Sequence, residues 1–156
     1  MLLFDGHLDI SMNAVEFNRD VTKSLKEIRD REAEKLDYKD RGKGILTLDE
    51  MRKGQIGVCI ATQIGRYVAP ETNMPGWNSP DIAWAITQAQ LAWYRVMEDH
   101  GQMTQITNRD ELNAHVDLWK TAGDTSTLPI GYILSLEGAD SIINLGYLEK
   151  AYAYGL

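Results

Sequence analysis

Residues 56–64, Ile56-Gly57-Val58-Cys59-Ile60-Ala61-Thr62-Gln63-Ile64, carry the fold class. A strand with one wet face alternates apolar and polar residues. This stretch is nearly continuously apolar and rich in β-branched side chains, as a strand buried on both faces of a parallel sheet must be. Just upstream, Thr47-Leu48-Asp49-Glu50 has the T-x-x-E form of a capping box and predicts a short helix ending near Gly54. Downstream, a loop carries Pro70, Pro75, Gly76 and Trp77. Ser79-Pro80-Asp81 then supplies an N-cap serine, a proline at the first helical position and an acid in the first turn. The helix so begun is expected to reach about His100, with Gly101 as its terminator. Its apolar positions Ile82, Ala85, Ile86, Ala89, Trp93, Val96 and Met97 keep helical spacing.

The pattern repeats outward. Leu2 to Phe4 begins a short apolar strand that meets Asp5-Gly6. Residues 11–44 form a charged excursion with one or two short helices around Val21–Leu36, and such an excursion is more often functional than idle. Asn108-Arg109-Asp110-Glu111 opens another helix that ends near Gly123. Pro129 to Leu136 is a further apolar strand running into Glu137-Gly138, and a last helix spans about Gly146 to Tyr154, closed by Gly155. Strands alternating with helices predict an α/β architecture with parallel strands.

Composition narrows the function classes. The 156 residues are 44% hydrophobic and 25% charged, which suits one globular domain with a real core. A net charge of −7 argues against a broad nucleic-acid interface. Most basic residues lie between Arg19 and Lys53 among acidic neighbours and read as a solvated, mixed-charge surface. Cys59, the only cysteine, reads as a small buried apolar side chain and implies no oxidising compartment. No run approaches the roughly 18–20 apolar residues of a membrane span. Met1-Leu2-Leu3-Phe4 is too short for a signal peptide, so no membrane association and a cytoplasmic location are expected.

His7 and Asp9 follow the first apolar run at i and i+2. If the chain stays extended through both, they project to one side. The pair reads either as an ordinary strand-to-loop transition or as the start of a metal site. Glu137 holds the same relative place on its own strand. The carboxyl end of a parallel sheet is where α/β folds carry their chemistry. An imidazole with two carboxylates suits Zn²⁺ or a similar divalent ion. His100 falls at the far end of a helix and His115 in mid-helix, where solvent or packing roles fit. Trp84, Trp93 and Trp119 read as packing residues. Trp77, in a loop at the site end of its strand, is a candidate pocket wall.

"FDGHLD" resembles the D-G-H-x-D opening of the membrane (renal) dipeptidase family, zinc peptidases of the amidohydrolase superfamily. "LTLDEMRKGQIGVCIATQI", "ILSLEGADSI" and "LGYLEKAYAYGL" are similar, in order, to further segments of that family. The resemblance implies a (β/α)₈ barrel with a binuclear zinc centre that cleaves dipeptides. His7 and Asp9 would bind one zinc, and Glu137 would bridge two and hold the attacking water. Leu8 stands where the vertebrate enzymes commonly have Asn, and Ala139-Asp140 follows the Glu-Gly pair instead of Gly-His. The second metal's histidines have no counterpart here. A closed barrel typically takes about 250 residues, so residues 1–156 are expected to form a single domain that is an incomplete barrel. That domain would be a fragment, a truncated product, or a half that associates with a C-terminal half or forms a homodimer. Little peptidase activity is expected from this chain alone. Two alternatives stay open: another amidohydrolase acting on cyclic amides or N-acyl amino acids, and a non-catalytic half-barrel that works by association.

Overall fold

The computed structural model describes all 156 residues. The element order is β1 (Leu3–Leu8), α1 (Ile10–Val15), α2 (Leu25–Glu32), α3 (Leu48–Lys53), β2 (Ile56–Ile64), α4 (Pro80–Asp99), β3 (Met103–Gln105), α5 (Arg109–Thr121), β4 (Ile130–Glu137) and α6 (Leu145–Ala153). The four strands form one parallel sheet in the order β1-β2-β4-β3. The mixed α/β class and the parallel sheet are those the sequence predicts. No helix is long and apolar enough to cross a membrane.

The predicted caps form where the sequence has them. Ser79 accepts from the Asp81 N–H, and Asn108 accepts from the Glu111 N–H. Thr47 accepts from the Glu50 N–H, but the Glu50 carboxylate turns to Lys53 (2.7 Å), so only half of that capping box closes. The complete capping box lies instead at Ser24 and Glu27, at the start of α2.

On one face of the sheet, Cys59 and Ala61 of β2 sit in register with Tyr132 and Leu134 of β4. Leu91, Tyr94 and Met97 of α4 pack into the same core as these four, and the Tyr94 and Tyr132 rings stack at 4.8 Å. Burying these side chains contributes roughly 1.5–3 kcal/mol each for the large ones. Cys59 is fully buried, and burial pushes its thiol up to about 12, in keeping with a packing role. His115 is buried too, with Nε2 2.9 Å from the Gly57 carbonyl oxygen, and Trp119 donates to the Pro129 carbonyl from inside the core.

The structure corrects four expectations. First, α4 buries only part of its apolar set: Met97 is interior and Trp93 packs against the core. Ala83, Thr87, Gln90, Leu91, Tyr94 and Met97 are buried, while Ile82, Ala85, Ala89 and Val96 stay exposed. The reason is Gln90, whose amide accepts from the Ile64 N–H (2.9 Å) and donates to the Ile64 carbonyl (2.8 Å), tying the helix to the end of β2. Second, part of the mixed-charge segment is interior. Glu32 is 3% exposed and joins Arg19 and Arg41, whose side chains are nearly as buried. Arg52 is also buried, where it donates to the Leu128 carbonyl. Third, the sequence reading has no strand between α4 and α5, whereas the three-residue β3 lies there, flanks β4 and pairs only with Ile130–Tyr132. The carboxyl half of β4 therefore has no strand on that side. Fourth, α1 forms directly after β1, ahead of the helical region expected around Val21–Leu36.

Gly65 ends β2 against α4. A Cβ there would overlap the Ala83 carbonyl oxygen and press on Thr87 Cγ2 at 2.9 Å. Gly65→Ala is expected to cost about 1–3 kcal/mol in urea unfolding, because backbone cannot yield as a side chain does. An unchanged midpoint would show that α4 is free to shift.

Candidate metal centre

β1 is not a regular strand. Phe4 pairs with Val58 and Asp5 with Cys59, but Leu8 pairs with Ala61, so one extra residue is accommodated around Gly6 and His7. Such a bulge re-aims a side chain. The Asp5 carboxylate accepts from the His7 N–H (3.1 Å) and fixes the kink. Asp9 lies past the strand, at the N-cap position of α1, so the extended i, i+2 geometry does not persist through it. Its side chain makes no capping hydrogen bond. Its carbonyl instead accepts from the Asn13 N–H (3.2 Å) and the Asn13 side-chain amide (2.9 Å). Glu137 is the last residue of β4, in register with Ile64 of β2, and Gly138 follows with φ +73° to turn the chain.

These local devices bring His7, Asp9 and Glu137 together. His7 Nε2 lies 3.4 Å from Asp9 Oδ1 and 3.4 Å from Glu137 Oε2, and the three donor atoms are all within 4.8 Å of one another. Asp9 Oδ1 is buried without a hydrogen-bond partner. Burial holds the Asp9 carboxyl above its ordinary value; His7 works against this and Glu137 adds to it. A tetrahedral Zn²⁺ with bonds of about 2.0–2.1 Å keeps its ligand atoms about 3.3–3.4 Å apart. One nitrogen, two carboxylates and an orphaned buried oxygen at this spacing fit a divalent cation.

Around the cluster, a chain of hydrogen bonds holds Asp9 from behind. Arg19 Nη1 donates to Asn13 Oδ1 (2.7 Å), and the same Asn13 donates to the Asp9 carbonyl. Arg19 is in turn gripped by Glu32. On the other flank, Arg66 Nη2 stands 3.8 Å from Glu137 Oε1. The Trp77 backbone N–H donates to the Arg66 carbonyl (2.9 Å) and the Trp77 carbonyl accepts from the Val68 N–H, which ties the Trp77 backbone to residues 66–68. A cleft of about 540 Å³ opens here, lined by Met12, Glu16, Phe17, Tyr38, Arg66 and Trp77 among others. Trp77 thus lies on a cleft wall. His100 is exposed at the carboxyl end of α4, and neither it nor His115 belongs to the cluster.

Arg66, Glu16, Phe17 and Tyr38 were not singled out from sequence. Arg66 could have been: it stands two residues beyond the end of β2, a strand-end position of the kind that selects Glu137. The others come from the excursion, and only folding brings them to this cleft.

No protein-family model matches the sequence, and no curated protein matches it. Among solved structures the chain is similar to dipeptidase AC, a metallopeptidase of peptidase family M19. The TM-score is 0.60 with 20% sequence identity, covering 100% of this chain and 41% of that one. The chain thus spans about two-fifths of the length of that dipeptidase, and what the two share at this identity is a fold.

Proposed function

We propose that the chain is the first part of a metal-dependent amide hydrolase, a zinc dipeptidase, built as an incomplete (β/α)₈ barrel. The observation that carries this is the convergence of His7, Asp9 and Glu137 at the carboxyl end of a parallel sheet, with Asp9 Oδ1 buried and unpaired. The fold likeness to a dipeptidase of family M19 supports it. The sheet itself supports the barrel. Phe4 and Leu3 are exposed on β1, and the upper half of β4 lacks a neighbour, so further strands have two edges to join.

In this reading His7, Asp9 and Glu137 would hold a divalent ion at the end of β1 and β4. A bound divalent ion supplies a water of lowered pKa and polarises an amide carbonyl. The chain's own residues do the rest. Asn13 and Arg19 fix Asp9, and the Asp5 contact fixes the His7 backbone. Phe17, Tyr38 and Trp77 form an aromatic wall of the cleft.

The test is metal stoichiometry followed by hydrolysis. Chelator-washed protein titrated with Zn²⁺ in a calorimeter is expected to take up about one equivalent at the three-ligand position. Hydrolysis of a dipeptide panel is expected once the remaining strands are supplied. Absence of any zinc uptake sinks the metal reading.

A further inference from the structure

Asp9 Oδ1 has no hydrogen bond of its own, so where it sits in the cluster depends on how the Asp9 backbone is held. Asn13, one turn into α1, returns both its N–H (3.2 Å) and its side-chain amide (2.9 Å) to the Asp9 carbonyl. An asparagine amide can exchange its oxygen and NH₂ by a flip, and only one orientation aims the NH₂ at Asp9. Arg19 selects that orientation. Asn18, at φ +52°, folds the chain back after α1. Arg19 then donates its backbone N–H to the Asn13 carbonyl (3.2 Å) and Nη1 to Asn13 Oδ1 (2.7 Å). A guanidinium has donors only, so the Asn13 oxygen must face it and the NH₂ must face Asp9.

Glu32 keeps Arg19 from turning. Its carboxylate, 3% exposed at the end of α2, accepts from Nε (2.8 Å) and Nη2 (3.2 Å), a two-point grip that sets the plane of the guanidinium. Arg52 is the contrast. It is also buried, but it donates to the Leu128 and Gln102 carbonyls, just ahead of β4 and β3, at the opposite end of the sheet from Glu137.

We infer that Glu32 is a positioning residue of the metal centre: through Arg19 and Asn13 it holds Asp9 in its ion-binding place before an ion arrives. This rests on the reading of His7, Asp9 and Glu137 as the metal position. A ligand already held in place loses little freedom when the ion binds, whereas a loosened one must be ordered in the same step.

A double-mutant cycle on zinc affinity tests this without turnover. Chelator competition is run on the parent, Glu32→Gln, Asn13→Ala, the two combined, and Arg52→Gln, at a temperature where circular dichroism shows each fully folded. Glu32→Gln and Asn13→Ala are each expected to weaken zinc about 10-fold, the lower end for outer-shell partners. The combined variant is expected to stay within about 2-fold of Asn13→Ala, because Glu32 acts through the link that Asn13 supplies. A plain field effect of the Glu32 charge would add to the Asn13 loss instead. Arg52→Gln is expected to stay within about 2-fold of the parent, which separates positioning from general loss of interior contacts. The visible bands of the Co²⁺-loaded chain are expected to shift in Glu32→Gln and Asn13→Ala and to hold in Arg52→Gln. Where Glu32→Gln does not fold, Arg19→Lys replaces it in the cycle, since a lysine cannot grip Glu32 and Asn13 at once. Zinc affinity unchanged by Glu32→Gln, additive losses in the combined variant, or equal weakening by Arg52→Gln overturns the inference and leaves the metal reading standing. A parent chain that takes up no zinc overturns both.

Discussion

Glu32→Ala is expected to remove about 3–5 kcal/mol of folding stability, the range for breaking a buried ion pair from one side. The Glu32 carboxylate accepts from Arg19 Nε (2.8 Å) and Nη2 (3.2 Å), from Arg41 Nη1 (2.7 Å) and from the Gly42 N–H (2.8 Å). Truncation leaves two guanidiniums buried, with Arg19 short of two hydrogen bonds and Arg41 of one. Arg41 keeps Asp37, and Arg19 keeps Asn13 and the Asp40 carbonyl, so the loss falls short of a bare buried charge. Domains of this size have only about 5–15 kcal/mol in total, which makes the effect large. Glu32→Gln, which preserves shape and some acceptors, is expected to lose less. Urea unfolding checks both, and a Glu32→Ala midpoint within error of the parent would refute the account.

The same network carries a pH signature. Burial alone would raise the Glu32 carboxyl, but hydrogen bonds from Arg19, the Gly42 N–H and Arg41 hold it down at about 2. A depressed acid contributes stability that is fully present above its unfolded value near 4.5 and is lost as pH falls through about 2. Acid unfolding of the parent should therefore steepen across that window, and Glu32→Gln should flatten it. Because Arg19 also holds Asn13 behind Asp9, loosening the network also loosens the metal cluster. Phe17 and Tyr38, two cleft walls, belong to the same segment, and Arg19 and Arg41 lie over their rings at 5.1 and 5.0 Å.

Asp9→Asn and His7→Ala are expected to lower zinc affinity by about 100-fold or more. Even outer-shell partners of metal sites are worth 10–100-fold, and a direct ligand is worth at least the upper end. The informative contrast is with stability. In the metal-free chain Asp9 Oδ1 is buried without a hydrogen bond and faces the largely exposed His7 ring at 3.4 Å, so Asp9→Asn should leave the urea midpoint unchanged or raise it slightly. With zinc at 100 times the parent's dissociation constant, the parent gains about 2.7 kcal/mol and a variant weakened 100-fold gains about 0.4 kcal/mol or less. Chelator competition measures the affinity and thermal melts with and without zinc measure the linkage. A variant that binds zinc within threefold of the parent rules out its residue as a ligand.

What could be foreseen follows from the range of the interactions involved. β2 lies at Ile56–Ile64, as its apolar run indicates, and the caps at Ser79, Asn108 and Thr47 act within three residues of themselves. The three-residue β3 has no run long enough to stand out; its place comes from pairing with Ile130–Tyr132. Of the apolar positions at helical spacing on α4, Met97 and Trp93 reach the core while Ile82 and Val96 stay exposed, because the Gln90 side chain pairs with the backbone of Ile64 at the end of β2.

The sequence by itself determined the alternation of strands and helices and singled out His7, Asp9 and Glu137, since both rest on local pattern and on position at strand ends. Only the tertiary structure decided how those three meet, through a bulge in β1 and an N-cap aspartate with no capping bond. It alone decided that Arg19, Glu32 and Arg41 are interior and that Arg66 faces a cleft walled by residues 12–38 and 66–77. Apart from His7 and Asp9, the partners in these contacts are 9 to 130 residues apart, and no local preference encodes a contact whose free energy exists only after the intervening chain has folded.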